Sequence, residues 1–492
     1  MRLSQATLDA VADHAIVPAY DRTGLRPRIV HIGPGNFHRV HQAVYLDRLL
    51  AGGHGEDWGI CAVELLDSPD NRARADAYRA QDTLYTVTEI DNDASRSVRV
   101  VGAIVEYLHA PADRDAVLAR IADPDTRIVS LTITEGGYNI DETTGAFDLA
   151  APAVAAELAG GPPTTAFGYI VHALRRRHAA GTGPFAVMSC DNLRSNGDTA
   201  RLSIMSFARA LDPALAGWIE ANVTFPNSMV DRIAPRVTAQ TRDALNLATG
   251  IADAIPVFSE AFSQWVIEDR FATGRPAWPQ VGVQVRDDVH AFEAIKGRML
   301  NASHGMMAVP ALLLGYRTVH DGMTDPRLRQ LLEVFLTRDV IPRLSGPPDV
   351  SLTEYKDAVI GRFANPNVVD QILRIVADNA ARLPTFHTVT IERLLADGAD
   401  PVREAFLLAG YRRSLRGLDD YGAAYPIDEP HLADDDRALI LDADPVATLR
   451  SRPFARMRLW EESAFLSAYL EQVTAFEAGT AAALARPELG LV

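Results

Sequence analysis

Hydrophobic and polar positions follow two different patterns along the chain. Up to about residue 285, short β-branched runs alternate with helical stretches. "RIVHIG" (28–33) predicts a strand, followed by the helical "HRVHQAVYLDRLLAGG". "WGICAVELL" (58–66), "LYTVTEI", "SVRVVGAIVEYL", "TRIVSLTIT" (126–134) and "PFAVMSC" (184–190) predict further strands. Helical "RDAVLARIA" and "FGYIVHALRRRHAAG" lie between them. Strands separated by helices imply a parallel, doubly wound sheet with both faces covered.

Beyond residue 286 no strand series follows. Helical periodicity covers 288–316, 326–344, 366–382, 390–396, 401–416 and 458–485, with Asp287 or Asp288 placed to cap the first helix. The acidic "PIDEPHLADDD" (426–436) reads as a surface loop. The expected fold is an α/β Rossmann-type N-terminal domain over 1–285 and a mostly α-helical C-terminal domain over 286–492.

Composition narrows the function. At 492 residues the chain is too long for one core; 48% hydrophobic and 23% charged residues describe a globular protein with sizeable cores. A net charge of −16 argues against a nucleic-acid backbone or an anionic membrane as the main partner. It leaves a small neutral substrate open. Cys61 and Cys190 sit in apolar runs and read as buried thiols without a disulfide framework. The segment "MRLSQATLDAVADHAIV" lacks a basic-then-apolar targeting pattern. "MMAVPALLLGY" is too short to span a bilayer and contains a proline. A cytoplasmic location is expected.

"RIVHIGPGNFHRVHQ" places Gly33 and Gly35 after a strand and before a helix, where a dinucleotide pyrophosphate meets backbone N–H groups. His38 stands where G-x-G-x-x-G carries its third glycine, so the two glycines alone are a weak signal. His38 and His41 have helical i, i+3 spacing but no third ligand at a useful distance, and no metal site is expected. Asp67 and Asp70 follow the second strand. A carboxylate there would accept ribose hydroxyls and repel a 2′-phosphate, which favours NAD over NADP. Asp67 fits a simple helix cap ahead of "SPDNRAR" equally well.

Lysine is nearly absent. Of 48 Lys and Arg residues only Lys296 and Lys356 are lysine. Arginine can replace any lysine that supplies only charge, but it cannot accept a proton. Lys296 lies in "AFEAIKGRMLNASHG", which reads as one helix. At about 100° per residue, Lys296, Glu293, His304 and Asn301 project at roughly 0°, 60°, 80° and 140°. A polar side of this kind is commonly a solvated face; the lysine usage singles out Lys296 as a general base. Gly297 and Gly305 would admit a ligand or another backbone.

The segments "IGPGNFHRVHQA", "IVSLTITEGGY", "FAVMSCDNL", "FPNSMVDRI", "QWVIEDRF", "GRPAW" and K-x4-N-x2-H at Lys296, Asn301 and His304 run in order through most of the chain. Together they resemble the polyol-specific long-chain dehydrogenases, the mannitol 2-dehydrogenase family. The resemblance implies a zinc-independent enzyme with NAD as cofactor, a Rossmann-type domain and a helical domain. It makes Lys296 the base. Asn192 and Asn301 would hold the alkoxide-like oxygen, His304 would orient the substrate, and Glu135 would help exchange the lysine's proton with solvent. Asp231 and Arg374 would bind polyol hydroxyls. Arg382 stands where relatives often carry a second lysine, which loosens the expectation for the sugar. Gly33, Gly35, Asn36, Phe37 and His38 form the family's version of the cofactor fingerprint, and Asp70 would select NAD.

The reaction implied is oxidation of a secondary alcohol by a neutral lysine. A free lysine titrates near ~10.4, so its surroundings would have to lower that value. The asparagines would act as an oxyanion hole acts. D-mannitol to D-fructose is the leading expectation, on a polyol/ketose substrate with no nucleic-acid or membrane partner, in a monomer or weak homo-oligomer. Fructuronate reductase is the nearest rival; the family's uronate enzymes are expected to carry a basic residue after the glutamate that here begins "EGGY". D-arabinitol or D-glucitol oxidation is a further alternative. A non-catalytic NAD-binding sensor is remote, because it would have no use for Lys296 with Asn192 and Asn301.

Overall fold

The computed structural model describes residues 1–141, 144–367 and 370–491. It divides into two compact units, Met1–His290 and Ala291–Val492. The pattern changes near 285/286 in the sequence, and this division falls at 290/291.

The first unit is built on five parallel strands: β1 (Arg26–Ile32), β2 (Trp58–Glu64), β3 (Ile104–His109), β4 (Ile128–Leu131) and β5 (Ala186–Ser189). Their order is β3-β2-β1-β4-β5. β1 is central, and the chain winds outward on both sides of it, so β1 and β4 flank the switch point of a doubly wound sheet. β2, β4 and β5 are buried at every residue, as their continuous apolar runs require. Successive residues serve opposite cores. Val30, Cys61 and Val129 pack with Val117, Ile170 and Ile204, while Ile29, Ile60 and Ile128 pack with Leu46, Leu49 and Trp265.

Two features differ from the sequence reading. "SVRVVGAIVEYL" is not one strand. It divides at Gly102 into Arg96–Val101, which pairs antiparallel with Tyr85–Ile90, and β3 of the parallel sheet. A Cβ at Gly102 would lie 2.7 Å from Pro18 and 3.0 Å from the Tyr20 hydroxyl, so a glycine lets the chain change sheets there. The helix after the glycine turn is also broken, into Asn36–Val40 and Gln42–Ala51. The Tyr85 hydroxyl donates to the Arg39 carbonyl at 2.8 Å and the Arg232 guanidinium donates to that of Val40. Side chains thus take carbonyls that the helix would otherwise use, and the ladder fails at His41.

The second unit is helical, and among the described residues no strand follows Gln284–Val285. Its core joins Met306, Val309 and Leu312 to Leu331, Phe335, Phe406 and Phe476. The expected 366–382 and 390–396 resolve into Ile372–Val376 and one helix Asn379–Ala396, with Asp378 in a left-handed conformation between them; Val368 and Val369 lie outside the described residues. Helix Leu352–Phe363 was not anticipated, although "SLTE" spells its start: Ser351 caps the Glu354 N–H at 3.2 Å. The acidic loop read over 426–436 passes into helix Asp434–Ile440. No helix among the described residues is long and apolar enough to cross a membrane. Cys61 and Cys190 are buried free thiols.

Candidate active site

Gly33 and Gly35 close the C-terminal end of β1 and do different jobs. Gly33 has φ 91°, and a Cβ there would sit 2.1 Å from the carbonyl oxygen of Thr132, just beyond β4. Gly35 has an ordinary φ of −72°, and its Cβ would meet nothing closer than the Gly33 carbonyl oxygen at 4.0 Å. The space over Gly35 is open, so the turn has the room and the backbone N–H groups that a pyrophosphate needs.

The residues after the turn are bound into the protein. Asn36 donates through Nδ2 to the Pro235 carbonyl at 3.0 Å and accepts from Arg39 at 2.7 Å. Phe37 stacks on His41 with centroids 4.8 Å apart. His38 is 1% exposed and lies flat against His31, 3.4 Å between ring centroids. Burial pushes both imidazoles down, His31 to about 3, so both are neutral. Both ring nitrogens of His38 are buried, with Gln42 nearby. His38 and His41 do not share a ligand point: the His41 ring bonds the Gln264 carbonyl at 3.1 Å. Among the described residues no three His, Cys, Asp or Glu side chains converge as metal ligands would.

Three carboxylates rim the end of β2. Asp70 is exposed at the second position of helix Pro69–Ala80. The helix cap is Ser68, whose hydroxyl accepts the Asn71 N–H at 3.1 Å, so Asp67 is not the cap; it pairs with Arg72. Glu64, passed over in the sequence, ends β2, accepts the Leu66 N–H at 2.9 Å and lies 3.5 Å from Arg74. A lone glutamate inside "ICAVELL" was the signal for it.

Glu135 and Asn192 stand at the C-terminal edge of the sheet, where open α/β sheets bind ligands. Glu135 opens the short turn Glu135–Tyr138 beyond β4, and Asn192 lies just beyond β5; both are exposed. Asp231 ends strand Ser228–Asp231 and is buried. Asn196 fixes this strand to the loop of Asn192. Its Nδ2 donates to the carbonyls of Asp191 (3.0 Å) and Ser228 (2.8 Å), and its Oδ1 accepts the Ser228 N–H at 2.9 Å.

In the second unit the expected single helix carries an insertion. Helix Val289–Ile295 continues into a π-helical turn, Lys296–Asn301, and then into helix Ala302–Leu313. The Ala302 N–H donates to the Gly297 carbonyl, five residues back. The even α projection is thereby corrected. A π turn closes i→i+5 bonds, so Asn301 comes under Lys296 instead of far round the helix. Lys296, Asn301 and His304 are all buried, between 7% and 9% exposed. Arg298, inside the turn, anchors it through Thr390 Oγ1 (3.1 Å) and the Arg343 carbonyl (2.7 Å). Gly305 serves helix packing: its Cβ would lie 3.1 Å from Leu383 and 3.4 Å from His387 Nε2 of helix Asn379–Ala396. Gly297 faces the same helix, 3.7 Å from Phe386.

His304 stacks on Phe363, centroids 4.3 Å apart and 5° from parallel. Burial pushes its pKa well below the ordinary value, and the charges of Arg382, Arg374, Arg362 and Lys296 push it further. His304 is therefore a neutral ring among cations. Arg374 pairs with Asp370 at 2.6 Å, and Arg382 lies in helix Asn379–Ala396. Phe363 and Arg362 escaped the sequence reading because their helix did. Lys356 is occupied elsewhere, 2.6 Å from Asp357.

The family profile for the mannitol dehydrogenase Rossmann domain matches residues 27–280, and that for the mannitol dehydrogenase C-terminal domain matches 288–475. The chain belongs to the mannitol dehydrogenase family. The polyol:NADP oxidoreductase of Gluconobacter oxydans is 48% identical over 429 residues, 87% of this chain and 88% of that one. The mannitol 2-dehydrogenase of Cereibacter sphaeroides is 43% identical over 84% and 86% of the two chains. Among solved structures, a substrate-free D-sorbitol dehydrogenase superposes with a TM-score of 0.91 at 44% identity, over 98% of this chain and all of that one (100%). The Pseudomonas fluorescens mannitol 2-dehydrogenase, in a ternary complex with NAD and D-mannitol, gives 0.89 at 39% identity, over 98% and 99%. The family resemblance, the Rossmann-plus-helical fold and the enzyme class, a polyol dehydrogenase, are borne out.

Proposed function

We propose that this family member oxidises a secondary alcohol of a polyol to a ketone with NAD, most readily D-mannitol to D-fructose, without zinc and with Lys296 as base. The observation that carries this reading is the π turn. It puts the buried Lys296 and Asn301 on one side of a helix, beside a neutral His304. Lys296 Nζ takes the hydroxyl proton. Asn301 and Asn192 donate hydrogen bonds to the oxygen as it gains negative charge, which preorganises the site for the transition state. His304, kept neutral, offers a ring nitrogen to a substrate hydroxyl while Phe363 holds the ring plane. Asp231, Arg374 and Arg382 bind the remaining hydroxyls, and Glu135 passes the lysine's proton to solvent.

NAD, when bound, supplies the hydride acceptor. Gly35 gives its pyrophosphate room, Gly33 lets the turn pass the Thr132 carbonyl, and the carboxylates at the end of β2, Asp70 above all, suit a ribose with free hydroxyls. NADP is the second reading, favoured by the Gluconobacter relative's NADP-linked name and by Arg72 and Arg74 on the same rim. An assay of mannitol, glucitol, arabinitol and mannonate with NAD and with NADP tests both. Mannitol with NAD should give the highest kcat/KM; a higher value for mannonate would reject the neutral-polyol reading, and a higher value with NADP the cofactor reading.

A further inference from the structure

The turn that carries Glu135 is strained and is held by one buried carboxylate. Thr134, just ahead of Glu135, has φ 62° and ψ 169°, a conformation that a β-branched residue rarely adopts. Such a conformation persists when its surroundings over-determine it. The surroundings here are Asp191. Its Oδ1 accepts the Thr134 N–H at 2.9 Å, and its Oδ2 accepts the Ile133 N–H at 3.0 Å and the Tyr138 hydroxyl at 2.7 Å. These donors bracket Glu135 on both sides. Tyr138 is buried, and its hydroxyl also meets Ser189 Oγ at 2.6 Å, which in turn accepts the Asp191 N–H at 3.2 Å. The clamp therefore joins the end of β5 to the turn after β4.

We propose that Asp191 is the positioning residue for Glu135: it fixes the strained turn so that the Glu135 carboxylate stands where it can pass the base's proton to solvent. The role rests on the part given to Glu135 in the proposed function. The two carboxylates are close enough to interact. Burial pushes the Asp191 carboxyl up, the three hydrogen bonds pull it down, and the charge of Glu135 pushes it up again. A carboxylate suits the place because all three groups facing it are donors. An asparagine would turn its amide –NH2 toward the Ile133 N–H or the Thr134 N–H, whichever way its side chain is set.

The test is a double-mutant cycle on the full-length enzyme with NAD and mannitol. Glu135→Gln should lower kcat. Asp191→Asn should lower kcat on the order of 10²-fold through misplacement of a catalytic group, with the KM for NAD unchanged. In the Glu135→Gln background, Asp191→Asn should cost less than about threefold, because residues acting through one another are not additive. If the two losses multiply, or if Asp191→Asn raises both KM values and spares kcat, the proposal is wrong and the carboxylate is structural or acts through Asn192. If Glu135→Gln keeps the wild-type kcat, the role of Glu135 itself falls, a separate failure. Should Asp191→Asn not fold, Tyr138→Phe carries the same test: it removes one of the three bonds, should give a smaller loss of kcat, and should be silent in the Glu135→Gln background.

Discussion

Two helices carry key parts of the candidate site, and both depart from α geometry, in opposite ways. After the glycine turn, Tyr85 and Arg232 capture the carbonyls of Arg39 and Val40, and the helix breaks at His41. The break helps set His38 into the core against His31. In the second unit the helix does not break. It takes in an extra residue as a π turn between Lys296 and Asn301 and goes on. There Lys296 and Asn301, proposed to act on the substrate, are brought to one side. Both segments hold a buried, neutral histidine; His38 feels the charge of Arg39, whereas His304 feels three arginines and the proposed base. A histidine in a motif is thus no guide to its job: His38 packs against the strand that ends at the turn, while His304 stands with the groups proposed to act.

The largest effect is expected at Lys296. Lys296→Ala should lower kcat for mannitol oxidation by at least about 10²–10⁴-fold, the usual worth of a general base, while NAD binding persists. Lys296→Arg should be nearly as inactive. An arginine variant with near-normal kcat would reduce the position to a cation site.

The two glycines separate stability from binding. Gly33→Ala would push a Cβ to 2.1 Å from the Thr132 carbonyl oxygen at a positive φ. It should destabilise the protein by about 3 kcal/mol or more in urea titrations. Gly35→Ala should stay within about 0.5 kcal/mol of wild type yet raise the KM for NAD. Equal losses of stability would contradict the open space seen over Gly35.

The buried histidines give a pH test. His31, His38 and His304 have folded pKa values far below the unfolded value of about 6.5. As pH falls through 6.5 the unfolded chain takes up protons that the native state refuses, so each costs up to about 1.4 kcal/mol per pH unit. Glu429, raised to about 7 by burial, pulls the other way, so the useful quantity is a difference. The stability of wild type minus that of His38→Phe should fall as pH goes from 7.5 to 5.5, and likewise for His304→Phe. A pH-independent difference would mean that the ring already titrates as an ordinary histidine.

The smallest effect is expected at the rim of β2. Asp70→Ser should raise the NADP/NAD efficiency ratio modestly, because Glu64 and Asp67 keep two carboxylates nearby. An unchanged ratio would move the selection to Glu64.

The family and the pairing of a Rossmann-type with a helical part were legible in the sequence. Short β-branched apolar runs between helical stretches gave the buried strands, and the scarcity of lysine drew attention to Lys296. The sequence did not determine how the helices bend. Periodicity at 3.6 residues reports which side faces a core, and it is blind to one extra residue in a turn or to a carbonyl taken by a side chain more than forty positions away, as Tyr85 takes that of Arg39. The Asp191 clamp was equally hidden, because its donors at 133, 134 and 138 are brought to it by the pairing of β4 with β5. Tertiary structure decided these points because each depends on which distant backbone group or ring fills the space next to it, and local pattern carries no record of that.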